Sequence, residues 1–450
     1  MDISIKNLGA ISEANFTVGD LTVICGKNNT GKTYLTYAVY GFLDFWKRYK
    51  PNIFNVSLIS NFFKEVNSIG LDCTSLNFLL DNDLKRASSI YSSTLLKNLL
   101  NNKNTIQSSF DIHSGFNSHY PKKYSQTIYI EDGGEISLKI SNEDNFFLDF
   151  DIFVNHGMEG RPSIQEVCNY LDYAIKDFIF PQAAIVSAER TGAALFQREV
   201  DFTRSRLIDL MKETSINPQQ LLGRFTAEYP LPVKHNIDFI RDLPNIVDKQ
   251  SEFFVNHPEV IAAFNEIAGG DYTVNAVGGI NYTPLNQPDI KLTLAESSST
   301  VRSLVDIGFY LKHLAKQGDL LMIDEPELNL HPENQRKIAR LFAMLVNAGI
   351  RVFITTHSDY IIKEFNTLLL LNKQDQRIQE LAEREGYQTS ELLKPEQLNI
   401  YMTTLDTNIK DRKAYTLIAA NISAENGIEL TSFDEVIEDM NRIQDEIVWG

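Results

Sequence analysis

The run Gly26-Lys27-Asn28-Asn29-Thr30-Gly31-Lys32-Thr33 follows the apolar segment Leu21–Cys25 and precedes a stretch that reads as a helix from Lys32 onward. A glycine-bearing turn between a strand and a helix aims successive backbone N–H groups and a helix N-terminus at one point, which is how backbone cradles phosphate. In that frame Lys32 would reach the β- and γ-phosphates and the Thr33 hydroxyl would ligate Mg²⁺. The chemistry implied by residues 26–33 is the binding of a nucleoside triphosphate.

Hydrolysis needs a second set of residues, and these lie far downstream. The apolar run 319–323 ends in Asp324-Glu325-Pro326-Glu327. Two adjacent carboxylates at the end of a buried strand suit a site in which Asp324 holds Mg²⁺ and Glu325 orients and polarises the attacking water. A further apolar run, 350–355, delivers Thr356-His357-Ser358. A histidine at the end of a neighbouring core strand would hydrogen-bond the γ-phosphate and the attacking water.

Taken together, 26–33, Leu320 to Pro332 (Leu-Leu-Met-Ile-Asp-Glu-Pro-Glu-Leu-Asn-Leu-His-Pro) and 355–358 resemble the motifs of ABC-type ATPase heads. The Asp-Glu-Pro-Glu-Leu-x-Leu-His-Pro form is similar to the soluble branch, which includes chromosome-maintenance, double-strand-break-repair and overcoming-lysogenisation-defect ATPases. The opening Ile3-Ser4-Ile5-Lys6-Asn7-Leu8, with Phe16 ahead of the phosphate loop, resembles the N-terminal hairpin of that branch. The resemblance implies an α/β fold: a P-loop ABC-type ATPase head with an N-terminal β-rich lobe and helical insertions.

It also implies a signature element that completes the site of an opposing subunit. The segment Ala295-Glu296-Ser297-Ser298-Ser299-Thr300, ahead of the helical stretch 301–314, stands where that element belongs. Ser298 or Ser299 would face the other subunit's γ-phosphate, with Thr300 able to cap the helix; a plain serine-rich helix cap is the alternative. No glycine follows the serines, a departure from the family pattern. The strand-like 181–187 leads to Ala188-Glu189-Arg190-Thr191-Gly192, which resembles the branch's equivalent of the glutamine-bearing loop. Arg190 would contact a phosphate or a neighbouring subunit, or else pair with Glu189 or another carboxylate.

Composition sets the bounds. The chain has 450 residues, enough for two or three domains. Its three cysteines, Cys25, Cys73 and Cys168, are far apart and in no zinc-ligand spacing, as expected in a reducing cytoplasm. Neither a secretory leader nor a membrane-spanning run is expected. A formal net charge of −17 argues against a protein that coats nucleic acid, although Arg190, Arg198, Arg204 and Arg206 leave room for a local basic groove.

The separation of Thr33 from Asp324 requires large insertions. The organisation expected is 1–50 for the N-terminal hairpin and the start of the ATPase core, then 51–180 for a helical and β-meander insertion. Residues 181–201 return a core strand with its Glu-Arg loop, and 202–270 form a proline-interrupted helical insertion without a sustained heptad. The signature, acidic pair and histidine occupy 271–371, and 372–450 close the core, ending in an amphipathic helix over 433–448. After His357 there is no Asp-x-Asp of the kind that the nuclease domains of lysogenisation-defect relatives carry.

The resemblance therefore implies an ATP- and Mg²⁺-dependent cytoplasmic ATPase acting as at least a homodimer. It would serve as sensor or scaffold of a bacterial anti-phage complex and control a separate nuclease or toxin. The alternative is a DNA-repair or chromosome-associated ATPase that clamps DNA directly.

Overall fold

The computed structural model describes residues 1–54, 68–96, 108–114, 123–129, 134–142, 146–154, 163–196, 229–276, 278–409 and 413–429, with 442, 444 and 446 near the end of the chain. Arg198, Arg204 and Arg206, the first part of the helical insertion and nearly all of the expected helix over 433–448 lie outside the described residues.

The chain opens with strands β1 (Asp2–Leu8), β2 (Ile11–Thr17) and β3 (Leu21–Cys25), then helix α1 (Lys32–Arg48). Strand β4 (Ser68–Asp72), helix α2 (Cys73–Ile90) and strand β5 (Ser109–His113) follow. Strands β6 (Lys123–Tyr129), β7 (Gly134–Asn142) and β8 (Phe146–Val154) form an antiparallel meander that β4 extends to four strands. Helix α3 (Ile164–Ile179) begins with a capping box, Ser163 and Glu166 each accepting from the other's backbone N–H.

Strand β9 (Ala183–Val186) then returns the chain to the core. Helices α4 (Leu231–Ile246), α5 (Glu252–Asn256) and α6 (Pro258–Ala268) come next. Pro232 and Pro244 do not separate helices as the sequence suggests: Pro232 sits in the first turn of α4, where its missing N–H costs nothing, and Pro244 in the last. A small sheet of β10 (Gly270–Val274), β11 (Ile280–Pro284) and β12 (Leu292–Thr293) leads to α7 (Ser299–His313). The remainder includes β13 (Leu320–Asp324), α8 (Pro332–Asn347), β14 (Arg351–Thr356), α9 (Asp359–Leu370), α10 (Gln376–Arg384), β15 (Leu398–Leu405) and β16 (Tyr415–Ala419).

Nine strands make one mixed sheet in the order β5-β1-β2-β16-β15-β3-β14-β13-β9. The five from β15 to β9 are parallel to one another. They are apolar on both faces because helices cover both, and successive side chains divide between two cores. Ile24, Leu320, Met322 and Phe353 face one core with Leu35 and Phe42 of α1. Val23, Leu321, Ile323 and Ile354 face the other with α7, α8 and α9. The fold is α/β with a P-loop core, and the ends of its parallel strands fix where the chemistry sits.

Candidate functional site

Three parallel strands end at one edge of the sheet. β3 runs into residues 26–33, β13 ends at Asp324, and β14, which lies between them, ends at Thr356 beside His357. The carboxyl edge of a parallel sheet is where such folds hold ligands, because the loops there are free of the sheet's own pairing.

The phosphate loop owes its shape to backbone freedom and to one neighbour. Gly26 and Gly31 have φ of 140° and 98°, and Asn29 takes 62°. A Cβ on Gly26 would collide with the Thr403 hydroxyl of β15. Thr403 donates to the Thr30 hydroxyl at 2.8 Å, and Thr30 donates to the Lys27 carbonyl at 2.8 Å. Gly31 stands as the N-cap of α1, which carries no side-chain cap and no acidic residue in its first turn. The positive end of the helix is left to an anion. Lys27, Asn28 and Asn29 are exposed, and the Lys32 ammonium folds back onto the carbonyls of Gly26 and Lys27 at 2.9 and 2.8 Å. Burial lowers the Lys32 pKa, opposed by Glu325, Asp324 and Glu327.

Asp324 is fully buried. One carboxylate oxygen accepts from Thr355, while the other has no hydrogen-bond partner. Burial pushes its pKa up to about 6, against the pull of the Thr355 and Thr33 hydroxyls. An unpartnered buried carboxylate oxygen near a threonine hydroxyl fits a small hard cation. Mg²⁺ characteristically takes one or two protein oxygens and completes its shell from phosphates and water.

Glu325 has a left-handed backbone, φ 52°, which costs a residue with a Cβ about 1 to 2 kcal/mol. Its N–H donates to the Thr355 carbonyl at 2.9 Å. Glu327 accepts from the His357 backbone N–H at 2.8 Å, and its carboxylate lies 3.0 Å from Nδ1 of the same ring. That ring nitrogen is 3.9 Å from Glu325. Lys32, Thr33, Asp324, Glu325 and His357 are thus brought together at this edge of the sheet.

The signature segment holds surprises. Ser298, not Thr300, is the N-cap of α7, accepting from Val301 N–H, and Ser298 and Ser299 are exposed. Thr300 instead donates to the Asn329 carbonyl at 2.6 Å, tying the helix to the loop after Glu327. Among the described residues neither Ser298 nor Ser299 hydrogen-bonds to its own phosphate loop.

Arg190 is buried, 1% exposed, and does not pair with Glu189; the carboxylate that acts on it most strongly is the buried Asp306 of α7, in line with the expected pairing to another carboxylate. Glu189 accepts from the Tyr37 hydroxyl of α1 at 2.9 Å, and with Asp324 it helps to raise the Tyr37 pKa, mainly a result of burial. Three residues missed by sequence reasoning therefore serve the site: Thr403, Glu189 and Glu327. Glu327 had a signal in the quoted motif. Thr403 had none, because its contact is made across the chain.

The AAA ATPase domain family matches residues 1–362. The energy-coupling factor transporter ATP-binding protein EcfA2 of Streptococcus thermophilus is 25% identical over 117 residues, 26% of this chain and 42% of that protein. The chain thus spans about two fifths of the length of that relative. Among solved structures, the Pyrococcus furiosus Smc head domain bound to the C-terminal domain of ScpA aligns over 98% of both chains, with 13% identity and a TM-score of 0.34. The SMC head domain from Thermotoga maritima aligns over 94% of this chain and 98% of its own, with 9% identity and a TM-score of 0.32.

Proposed function

The chain belongs to the AAA ATPase domain family, and from that premise we propose that it hydrolyses ATP as a sensor or scaffold whose output is carried by a separate protein. The observation that carries this reading is the gathering of Lys32, Thr33, Asp324, Glu325 and His357 at one sheet edge, while Ser298 and Ser299 stand exposed at the head of α7.

In this reading the amides of 26–33 and the α1 N-terminus receive the phosphates, and Lys32 turns from its carbonyl partners onto the β- and γ-oxygens. Thr33 and Asp324 would hold Mg²⁺, which supplies charge neutralisation at the phosphates. Glu325 takes the proton of the attacking water. His357 is oriented by Glu327: protonated on Nδ1 alone, it offers Nε2 as an acceptor to that water, and doubly protonated it donates to the γ-phosphate. Phosphoryl transfer asks for positioning and charge more than covalent chemistry, and these groups supply both.

Exposed Ser298 and Ser299 support a homodimer in which each copy completes its partner's site. The reading includes a role in bacterial anti-phage defence with a separate nuclease or toxin as effector, for which the sequence offers one support: no Asp-x-Asp of a nuclease domain follows His357. The test is native mass spectrometry of Glu325→Gln, coexpressed with its neighbouring reading frames, in Mg-ATP. Turnover should fall at least about 10²-fold, trapping an ATP-filled homodimer with a second protein attached. A bare dimer that retains DNA would replace this reading with a DNA clamp.

A further inference from the structure

Among the described residues, the bulkiest of the fully buried side chains is a charged one. Arg190 opens the helical stretch 190–196 that follows β9, beside the acidic strand, and four of its N–H donors are committed to backbone carbonyls. Nε donates to Ser303 at 2.8 Å, Nη1 to Ser187 at 3.0 Å and to Asp324 at 2.9 Å, and Nη2 to Glu325 at 2.9 Å. These carbonyls belong to three separate elements: the end of β9, the first turns of α7 and the junction of β13 with its loop. The last of them belongs to the residue held at φ 52°.

We propose that Arg190 is a positioning residue for hydrolysis, a bracket that holds the Glu325 backbone in its left-handed conformation and joins it to the helix headed by Ser298 and Ser299. A planar guanidinium with its fork of donors can bridge three elements at once, whereas an ammonium acts as a single point. Asp306, one turn further along α7 and buried, is the strongest of the carboxylate fields acting on the guanidinium, and both of its oxygens lack hydrogen-bond partners. The Asp306 field thus acts on the guanidinium from α7, while the arginine's hydrogen bonds reach the residue that polarises water. A shift of α7 on engaging a partner's nucleotide is thereby transmitted through one side chain to the Glu325 carbonyl. The Thr300 hydroxyl on Asn329 makes a second, separate tie between α7 and the same loop.

The inference rests on Glu325 as the base, so the two are tested side by side. Arg190→Lys keeps the charge opposite Asp306 but cannot reproduce the fork. Arg190→Gln combined with Asp306→Asn removes both buried charges and provides the measurement where the single variant does not fold. Mg-ATP affinity, KM and kcat are measured for each folded variant, with Glu325→Gln alongside. Misplacement of a reacting group by about 1 Å costs on the order of 10² in rate. The expected result is a kcat lower by about 10²-fold, with Kd and KM within about threefold of wild type. A kcat within about twofold of wild type, or affinity and kcat falling together, would overturn the positioning role. Wild-type turnover in Glu325→Gln would instead remove the base assignment, whatever Arg190 does.

Discussion

Asp172 and Asp324 are the same residue in nearly the same burial, 4% and 0% exposed, yet the fold uses them in opposite ways. Burial pushes Asp172 up to about 7 and Asp324 up to about 6. Asp172, on α3, spends one oxygen on the backbone N–H groups of Ile53 and Phe54 at 2.9 and 3.0 Å, hanging the segment after α1 from the helix. Asp324 gives one oxygen to Thr355 and leaves the other without a partner. Desolvating a carboxylate is costly in both places. At Asp172 hydrogen bonds to the backbone offset the cost, so the residue is structural; at Asp324 the offset is left to a cation.

The contrast is broken most directly by removing each acid. Asp324→Asn should lower Mg-ATP turnover at least about 10³-fold, since the metal contributes several kcal/mol of charge stabilisation. It should leave stability at or above wild type near pH 8, because the amide mimics the protonated acid without its charge. Asp172→Ala should do the reverse. Two buried amides left unpaired cost about 2 to 4 kcal/mol in a urea titration, with kcat per folded molecule unchanged. If Asp172→Ala loses turnover at constant stability, the division between spent and reserved carboxylates is wrong.

A pH series sharpens the same point. Asp306, like Asp172, is raised to about 7 by burial, with Arg190 pulling it down. An acid whose folded pKa exceeds its unfolded value keeps a proton in the fold that the unfolded chain has released. Its contribution therefore falls as pH rises from about 4 to about 7 and is level above that. For Asp306 the move from 3.8 to about 7 corresponds to roughly 4 kcal/mol at most. Without Mg²⁺, the wild-type urea midpoint should drop between about pH 4 and about pH 7, and Asp306→Asn should flatten that drop. An unchanged slope would show that Asp306 is ionised throughout.

How much of this could be read in the sequence follows from the range of each interaction. Residues 26–33 were legible because strand, turn and helix are contiguous, and the helix starts at Lys32 as the spacing implies. Asp324 and Glu325 were legible because a run of buried residues ending in two carboxylates has few structural uses. The helix cap was left open between the serines and Thr300, since both are good caps and only the fold shows that Ser298 takes the place while Asn329 claims the Thr300 hydroxyl. The surroundings of Arg190 were hidden, because three of its four carbonyl partners, Ser303, Asp324 and Glu325, come from distant parts of the chain and nothing in its neighbours announces them. The place of β15 beside β3 was equally hidden, because it depends on pairing between the two ends of the chain.

That hidden pairing carries the smallest of the expected effects. The Thr403 hydroxyl, like Asp172, is spent on framing: it reaches Thr30 at 2.8 Å and the Cys25 carbonyl at 3.4 Å, and its place beside Gly26 leaves no room there for a side chain. Thr403→Val preserves shape and β-branching and removes only the hydroxyl. One buried hydrogen bond is worth about 1 kcal/mol, so a frame that transmits its full value to the nucleotide raises KM for ATP about fivefold. Because Thr403 touches the loop and not Asp324, Glu325 or His357, kcat should stay within about twofold of wild type. Steady-state kinetics over a range of ATP concentrations separates the two constants. A fall in kcat at unchanged KM would mean that β15 acts on the hydrolytic residues, and the boundary between framing and reserved groups would then have to be drawn elsewhere.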